Sequence, residues 1–265
     1  MATTLDDVTV TDVNSKSQNP EKENGLKSKE AKEEAAKDSG KGAEEQKDEK
    51  AEEGKVEAGP QEDEEVAAVE VEAKTGVAFP VKLDDGKRLN CVGLRKKSML
   101  GLGIKIYGFG VYADNEKLKE LVKSKIGKSP AKPTKEMYQL VIDGDFGMTV
   151  RMVLVYSGVT MSMIKKNFDE VMGASIKKLT GGKKNDELSN KVMGHASDKT
   201  KLTSGSIIEV SRLPGYVLQT KVMGDVVSKV ESELLCKAYF QLYLGDDAFD
   251  TDAKEKFGQS LLLLF

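Results

Sequence analysis

An arginine and a tyrosine twelve residues apart, Arg95 and Tyr107, lie in the run GLRKKSMLGLGIKIYGFGVYAD from Gly93 to Asp114. A guanidinium stays charged at any physiological pH and offers a carboxylate two parallel hydrogen bonds, and a phenol adds a further donor. If both side chains reach one wall of a sheet, they can hold an anion there. By pattern alone Arg95 belongs to the basic cluster Arg95-Lys96-Lys97, and such clusters are ordinarily solvated surface. Lys96 and Lys97 are expected to remain surface in any case.

Other residues capable of chemistry are few. His195 is the only histidine and has no Cys or carboxylate pair at metal-ligand spacing, so it is expected on the surface, on a helix beside a polar loop. No Ser-His or Cys-His nucleophile system can be assembled without it. Gly127-Lys128-Ser129 resembles the end of a phosphate-binding loop, but Val122 stands where the first glycine belongs and Pro130 interrupts the helix that should follow. The glycines of GLGIKIYGFG do not open a helix after a strand, so they are not a dinucleotide fingerprint; they suit close approach of backbone to its neighbours or to a ligand. Neither a metal nor a cofactor is expected. Met148, Met152, Met161, Met163 and Met172 gather around one strand and its following helix, which fits either ordinary core or a cavity for flexible alkyl chains.

The elements that position these residues lie in the later part of the chain. Of its 265 residues, 1–73 contain no aromatic side chain and hold 22 Asp or Glu against ten Lys. Such a segment buries too little apolar surface to offset its conformational entropy, and is expected to be a disordered acidic tail. Residues 74–265 then form one domain with 31 Lys or Arg against 22 Asp or Glu. A basic body suits nucleic acid, anionic lipid or an anionic small ligand, and charge alone does not choose among them. Cys91 and Cys236 sit in apolar segments, as reduced structural thiols would. No apolar run reaches membrane-spanning length, and the N-terminal residues read neither as a secretory signal nor as a transit peptide, so a soluble intracellular protein is expected.

Along the body, Phe79 in FPVKL opens a strand, Asp84-Asp85-Gly86 supplies a turn, and Arg88 to Lys97 reads as its hairpin partner. Helices are predicted after Asp114 or Asn115, after Thr134 and from Asn185. The clearest runs from Met161 to Leu179, capped by Thr160 and stopped by Gly181-Gly182. Phe146 to Tyr156 alternates with Met148, Val150, Met152, Leu154 and Tyr156 on one face. SIIEVSRL and YVLQTKVM read as a hairpin turned at Pro214-Gly215, and Val226–Leu244 and Thr251–Leu264 as two helices. Strands in hairpins and helices in blocks predict an α+β fold, an antiparallel β-sheet packed against a layer of α-helices.

GLRKKSMLGLGIKIYGFGVYAD resembles the opening hairpin of the chalcone isomerase fold, and in particular its plant fatty-acid-binding branch. The resemblance continues through Thr149-Val150-Arg151, Lys165-Lys166-Asn167-Phe168-Asp169, LTGGKKNDEL from Leu179 and SELLCKAYFQLYLGDDAFD, covering the body and none of the tail. It implies a cleft between sheet and helices in which Arg95 and Tyr107 hold the carboxylate of a long-chain free fatty acid. Met148, Met152, Ile164, Phe168 and Leu242 are then candidates to line it. In true isomerases a threonine stands at the position of Tyr107, a tyrosine opens the long helix, and a threonine or serine lies in the late helix block. Here those positions hold Tyr107, Ser162 and Leu242, and no tyrosine lies between Gly158 and Met172. The resemblance thus implies a non-catalytic binder and points to the plastid stroma although a transit peptide is not legible; taken at face value, the N-terminus points to the cytoplasm, and a monomer is expected. Two rivals are a chalcone isomerase and, from the basic body, a nucleic-acid-binding module, although few aromatics are interleaved with the basic residues.

Overall fold

The structure, a computed structural model, describes residues 68–99, 102–183 and 185–265. In chain order its elements are β1 (Val69–Glu72), β2 (Val77–Pro80), β3 (Arg88–Met99), β4 (Leu102–Ala113), α1 (Asn115–Lys125), α2 (Lys135–Asp143), β5 (Met148–Leu154), α3 (Met161–Leu179) and α4 (Asp186–Asn190). There follow β6 (Ile207–Leu213), β7 (Val217–Val222), β8 (Asp225–Glu231), α5 (Glu233–Leu244) and α6 (Thr251–Leu262). β3 to β8 form a six-stranded sheet in sequential order, every neighbouring pair antiparallel. This is the predicted α+β architecture.

Helix starts follow from side-chain capping. Asp114, Thr134, Thr160, Asn185, Ser232 and Asp250 each stand at an N-cap and accept a hydrogen bond from the third amide of the following helix. Alternation in the strands then sorts the sheet into two faces. Phe109 and Val111 of β4, Val150 and Met152 of β5, Ile208 and Val210 of β6 and Leu218 of β7 pack with Met172, Ile176, Leu235, Tyr239, Phe240 and Phe257 of the helices in one hydrophobic core. On the opposite face β1 and β2 pair as a separate two-stranded sheet against the β3–β4 hairpin. Gly108 and Gly110 permit that approach. A Cβ on Gly108 would stand 3.0 Å from Thr75 Oγ1, and one on Gly110 would stand 3.0 Å from Phe79 and 2.9 Å from Tyr112.

The largest fully buried side chain is a cation. Arg212 of β6 projects under α2 and donates to the carbonyls of Ile142 (2.9 Å), Val141 (3.0 Å) and Phe146 (3.0 Å), between the rings of Phe146 and Phe240. Two of these carbonyls belong to the last turn of α2, which has no basic residue of its own. Arg212 therefore caps that helix from across the core. Burial lowers its ionisation to about 10, so it remains charged at working pH.

Several expectations need correction. Strand structure starts at Val69, inside the segment 1–73 assigned to the tail; Val69, Val71 and the buried Glu72 pair with β2, and Glu72 accepts hydrogen bonds from Thr75. Residues 1–67, the remainder of that segment, lie outside the described residues. β2 and β3 flank the Asp84–Gly86 turn but share only the bridge Lys82–Arg88, because β3 pairs with β4 instead. The predicted helix from Val226 begins as a strand: β8 turns back on β7 at Met223 and Gly224, both with positive φ, and α5 starts only after Ser232. His195 is exposed on a turn rather than on a helix. Both cysteines are free and buried. Among the described residues, no helix is long and apolar enough to cross a membrane.

Candidate functional site

β3 and β4 are twelve residues each, and their inner halves are buried while their outer halves extend into solvent. Where burial gives way to exposure, Arg95 pairs directly with Tyr107 across the hairpin, and the next pair is Lys96 with Lys105. Ile106 is therefore an extra residue, a β-bulge, and it turns two consecutive side chains, Ile106 and Tyr107, toward the helix side.

There a cavity of about 160 Å³ opens between the sheet and α3. Arg95, Ile106 and Tyr107 form one wall, Met152, Leu154 and Ile208 the floor, and Val159, Ile164 and Phe168 the helical side; Lys97, Tyr156, Met163 and Asn167 complete the lining. The lining holds no carboxylate, histidine or thiol. It is an apolar chamber with one guanidinium, one ammonium, one amide and two phenols.

The cationic wall is fixed by aromatic packing. The Arg95 guanidinium stacks 3.6 Å above the ring of Phe249, and among the described residues it has no ion pair. Its charge is neutralised by nothing described and its plane is held by a ring. Behind Tyr107 stands a chain of phenols. The Tyr107 and Tyr243 hydroxyls share a hydrogen bond at 3.3 Å, Tyr239 donates to Tyr243 at 3.4 Å, and the Tyr243 hydroxyl lies 3.6 Å from the Met152 sulfur. Phe109 and Phe249 pack edge-on against the Tyr243 ring. Burial pushes all three phenols well above the usual value of 10, and the Arg95 charge opposes this only in part for Tyr107 and Tyr243. At neutral pH Tyr107 is therefore a hydrogen-bond donor and not a base. The arrangement can bind an anion with an apolar body.

Of the residues expected in the cavity, Arg95, Tyr107, Met152, Ile164 and Phe168 line it. Met148 does not. It is fully buried opposite Ala113 and Arg212, four residues and about 13 Å along β5 from Met152. Leu242 is also absent from the lining; the next residue of α5, Tyr243, turns toward Tyr107, since one helical step rotates a side chain by about 100°. Lys97, expected as surface alone, is exposed yet lines the cavity rim. Sequence reasoning passed over Tyr239, Tyr243 and Phe249. The signal for the tyrosines was present as the stripe Cys236, Tyr239, Phe240 and Tyr243 at helical spacing, whereas Phe249 lies in a loop and carries no periodicity.

Residues 63–257 match the family described as Chalcone isomerase-like. Over 200 residues the chain is 66% identical to Chalcone isomerase-like protein 1 of Humulus lupulus, covering 75% of this chain and 94% of that one. Over 191 residues it is 39% identical to Fatty-acid-binding protein 1 of Arabidopsis thaliana, covering 71% and 68%. The crystal structure of an Arabidopsis thaliana fatty-acid binding protein superposes with a TM-score of 0.69 at 37% identity, covering 74% of this chain and 98% of that chain.

Proposed function

Because this chain belongs to the chalcone isomerase-like family, we propose that it binds a free fatty acid without transforming it, with the carboxylate held between Arg95 and Tyr107 and the acyl chain in the cavity under α3. The observation that carries the reading is the pairing of Arg95 with Tyr107 across the bulged hairpin on the wall of an apolar cavity, with the guanidinium stacked on Phe249 and bearing no described ion pair. The likeness in sequence and in fold to an Arabidopsis protein named for fatty-acid binding supports it.

A carboxylate entering an apolar chamber loses hydration, and only a fixed charge partner with further donors offsets that cost. Arg95 supplies the charge; Tyr107, kept neutral by burial, supplies the additional donor. The alkyl chain contributes the rest, at about 0.8 kcal/mol per buried methylene. A cavity of about 160 Å³ is close in size to one that admits a benzene ring, so it encloses roughly six to eight carbons. The remainder of a longer chain lies in the mouth, along Tyr156 and Met163. In this reading the protein serves fatty-acid metabolism as a carrier or reservoir.

Native mass spectrometry of the protein purified from its own cells tests this class of ligand. A co-purified fatty acid is expected, displaced by added octanoate. Recovery of a flavonoid in its place, or accelerated loss of chalcone absorbance on adding the protein, would return the isomerase reading.

A further inference from the structure

The cavity mouth and the hairpin that projects beyond it combine exposed apolar side chains with a run of basic ones. Past the Arg95–Tyr107 pair, Lys96 pairs with Lys105, Lys97 with Ile104, Ser98 with Gly103 and Met99 with Leu102. Leu102 is 70% exposed at the far end of β4; Met163 of α3 and Tyr156, both lining the mouth, are 48% and 36% exposed. A single exposed apolar residue means nothing, but Met163 and Tyr156 stand at one opening and Leu102 lies on the hairpin whose base forms a wall of it. The charges of the same segments are all of one sign. Residues 88–113 and 155–168 contain Arg88, Arg95, Lys96, Lys97, Lys105, Lys165 and Lys166 and not one Asp or Glu, in a chain whose net charge is −3. Lys96, Lys97, Lys105 and Lys166 are exposed. Lys105 donates to the Lys74 carbonyl, which leaves its charge intact; Lys165 pairs at 3.1 Å with Asp198, and the Asp250 carboxylate accepts from the Leu94 amide beside Arg95.

We propose that the β3–β4 hairpin and the mouth beside it dock on the surface of an anionic lipid bilayer. Exposed leucine, methionine and tyrosine side chains enter the headgroup boundary while the lysines meet lipid phosphates; apolar projections set in basic surface bind anionic membranes by this combination. Docked in this way, the opening of the cavity faces the acyl layer, so an apolar ligand passes between bilayer and cavity without crossing water. That transfer rests on the fatty-acid reading above, whereas the docking does not. The hairpin suits the task mechanically, since Leu102, Gly103 and Lys105 are exposed although they belong to a strand.

Co-sedimentation of the full chain with vesicles tests the proposal. Vesicles of phosphatidylcholine alone are compared with an equimolar mixture of phosphatidylcholine and phosphatidylglycerol, at low and at physiological salt. Binding to the anionic vesicles, weakened by salt and absent on the neutral ones, is expected. Each lysine at a membrane surface is worth about five-fold in partitioning, so Lys96→Glu should lower it at least five-fold and, through the added negative charge, by up to about 25-fold. Leu102→Asp should lower it further. Neither residue lines the cavity, so octanoate affinity should be unchanged in both variants. Partitioning that ignores the phosphatidylglycerol content, or that both variants retain in full, overturns the proposal. So does loss of self-association in place of loss of vesicle binding, which would assign the surface to a second copy of the chain. If octanoate fails to bind while anionic vesicles do, the fatty-acid reading falls and the docking surface stands.

Discussion

If Arg95 and Tyr107 grip one carboxylate, they must be energetically coupled, and a double-mutant cycle measures that coupling. Arg95→Met keeps an unbranched side chain against Phe249 and removes the guanidinium; Tyr107→Phe removes one oxygen. Because the guanidinium is already stacked at 3.6 Å on Phe249, little ordering is lost on binding, and its hydrogen bonds to a carboxylate contribute about 1.5–3 kcal/mol. Arg95→Met should weaken octanoate binding roughly 10- to 150-fold. Tyr107 contributes less. Its hydroxyl already shares a hydrogen bond with Tyr243 at 3.3 Å, so the ligand improves on an existing bond, and Tyr107→Phe should cost about 1 kcal/mol, near five-fold. Once Arg95 is gone the carboxylate gains nothing by entering the apolar wall, and Tyr107→Phe should then cost almost nothing more. The coupling energy is therefore expected near 1 kcal/mol, read by isothermal titration of all four proteins with octanoate and with methyl octanoate. Losses that add independently, or that are equal for acid and ester, would refute a shared carboxylate.

Chain length should matter only up to the size of the cavity. In a series of saturated acids, affinity should rise about four-fold per methylene and level off near eight carbons, because about 160 Å³ encloses no more; unbroken gain to sixteen carbons would mean that α3 moves aside. Arg212→Met should destabilise the fold by about 3–5 kcal/mol in urea denaturation, since it strips the buried carbonyls of Val141, Ile142 and Phe146 of their shared donor; a loss below about 1 kcal/mol would show that those carbonyls find other partners. Alkaline pH should unfold the protein through its buried phenols. Tyr107, Tyr239 and Tyr243 ionise well above 10 in the folded chain and near 10 when unfolded, so their contribution is complete below pH 10 and is lost as pH rises beyond it. The slope is about 1.4 kcal/mol per pH unit for each phenol. Tyr243→Phe should flatten that slope by one proton, and an unchanged slope in urea titrations across this range would place the proton release elsewhere.

Local rules were legible wherever a single period ruled a segment. α3 spans Met161–Leu179 with Thr160 as its cap, as its apolar stripe and flanking glycines predict, and the helix-facing residues of β5 are those of the alternating set. β8 was not legible, because Val226, Val227, Val230 and Leu234 also satisfy helical spacing. What decides between the two periods is non-local: β7 needs a partner on its open edge, and the left-handed pair Met223-Gly224 turns the chain back to supply one. Arg212 carries no sequence signal at all, since a buried arginine is recognisable only when the carbonyls it satisfies are known.

The proposed anion site rests on one irregular residue. Counted back from the tip, the pairs Met99–Leu102, Ser98–Gly103, Lys97–Ile104 and Lys96–Lys105 would lead a regular hairpin to set Arg95 opposite Ile106. Tyr107 would then face the other side of the sheet, where β1 and β2 pack. The bulge at Ile106 shifts the register by one, brings Tyr107 opposite Arg95, and returns Phe109 and Val111 to the core face behind it. Periodicity therefore could not place the two residues together; residue chemistry suggested them as a pair, and the family resemblance supplied the role. The same bulge separates two regimes along one hairpin. Inward of it the strands are buried and fixed by packing; outward of it they are exposed, basic and free to meet another surface. A binding wall and a docking tip thus adjoin along one hairpin, and because Lys96 and Leu102 lie outside the cavity lining, substitutions there separate docking from anion binding, as those at Arg95 and Tyr107 do in the opposite sense.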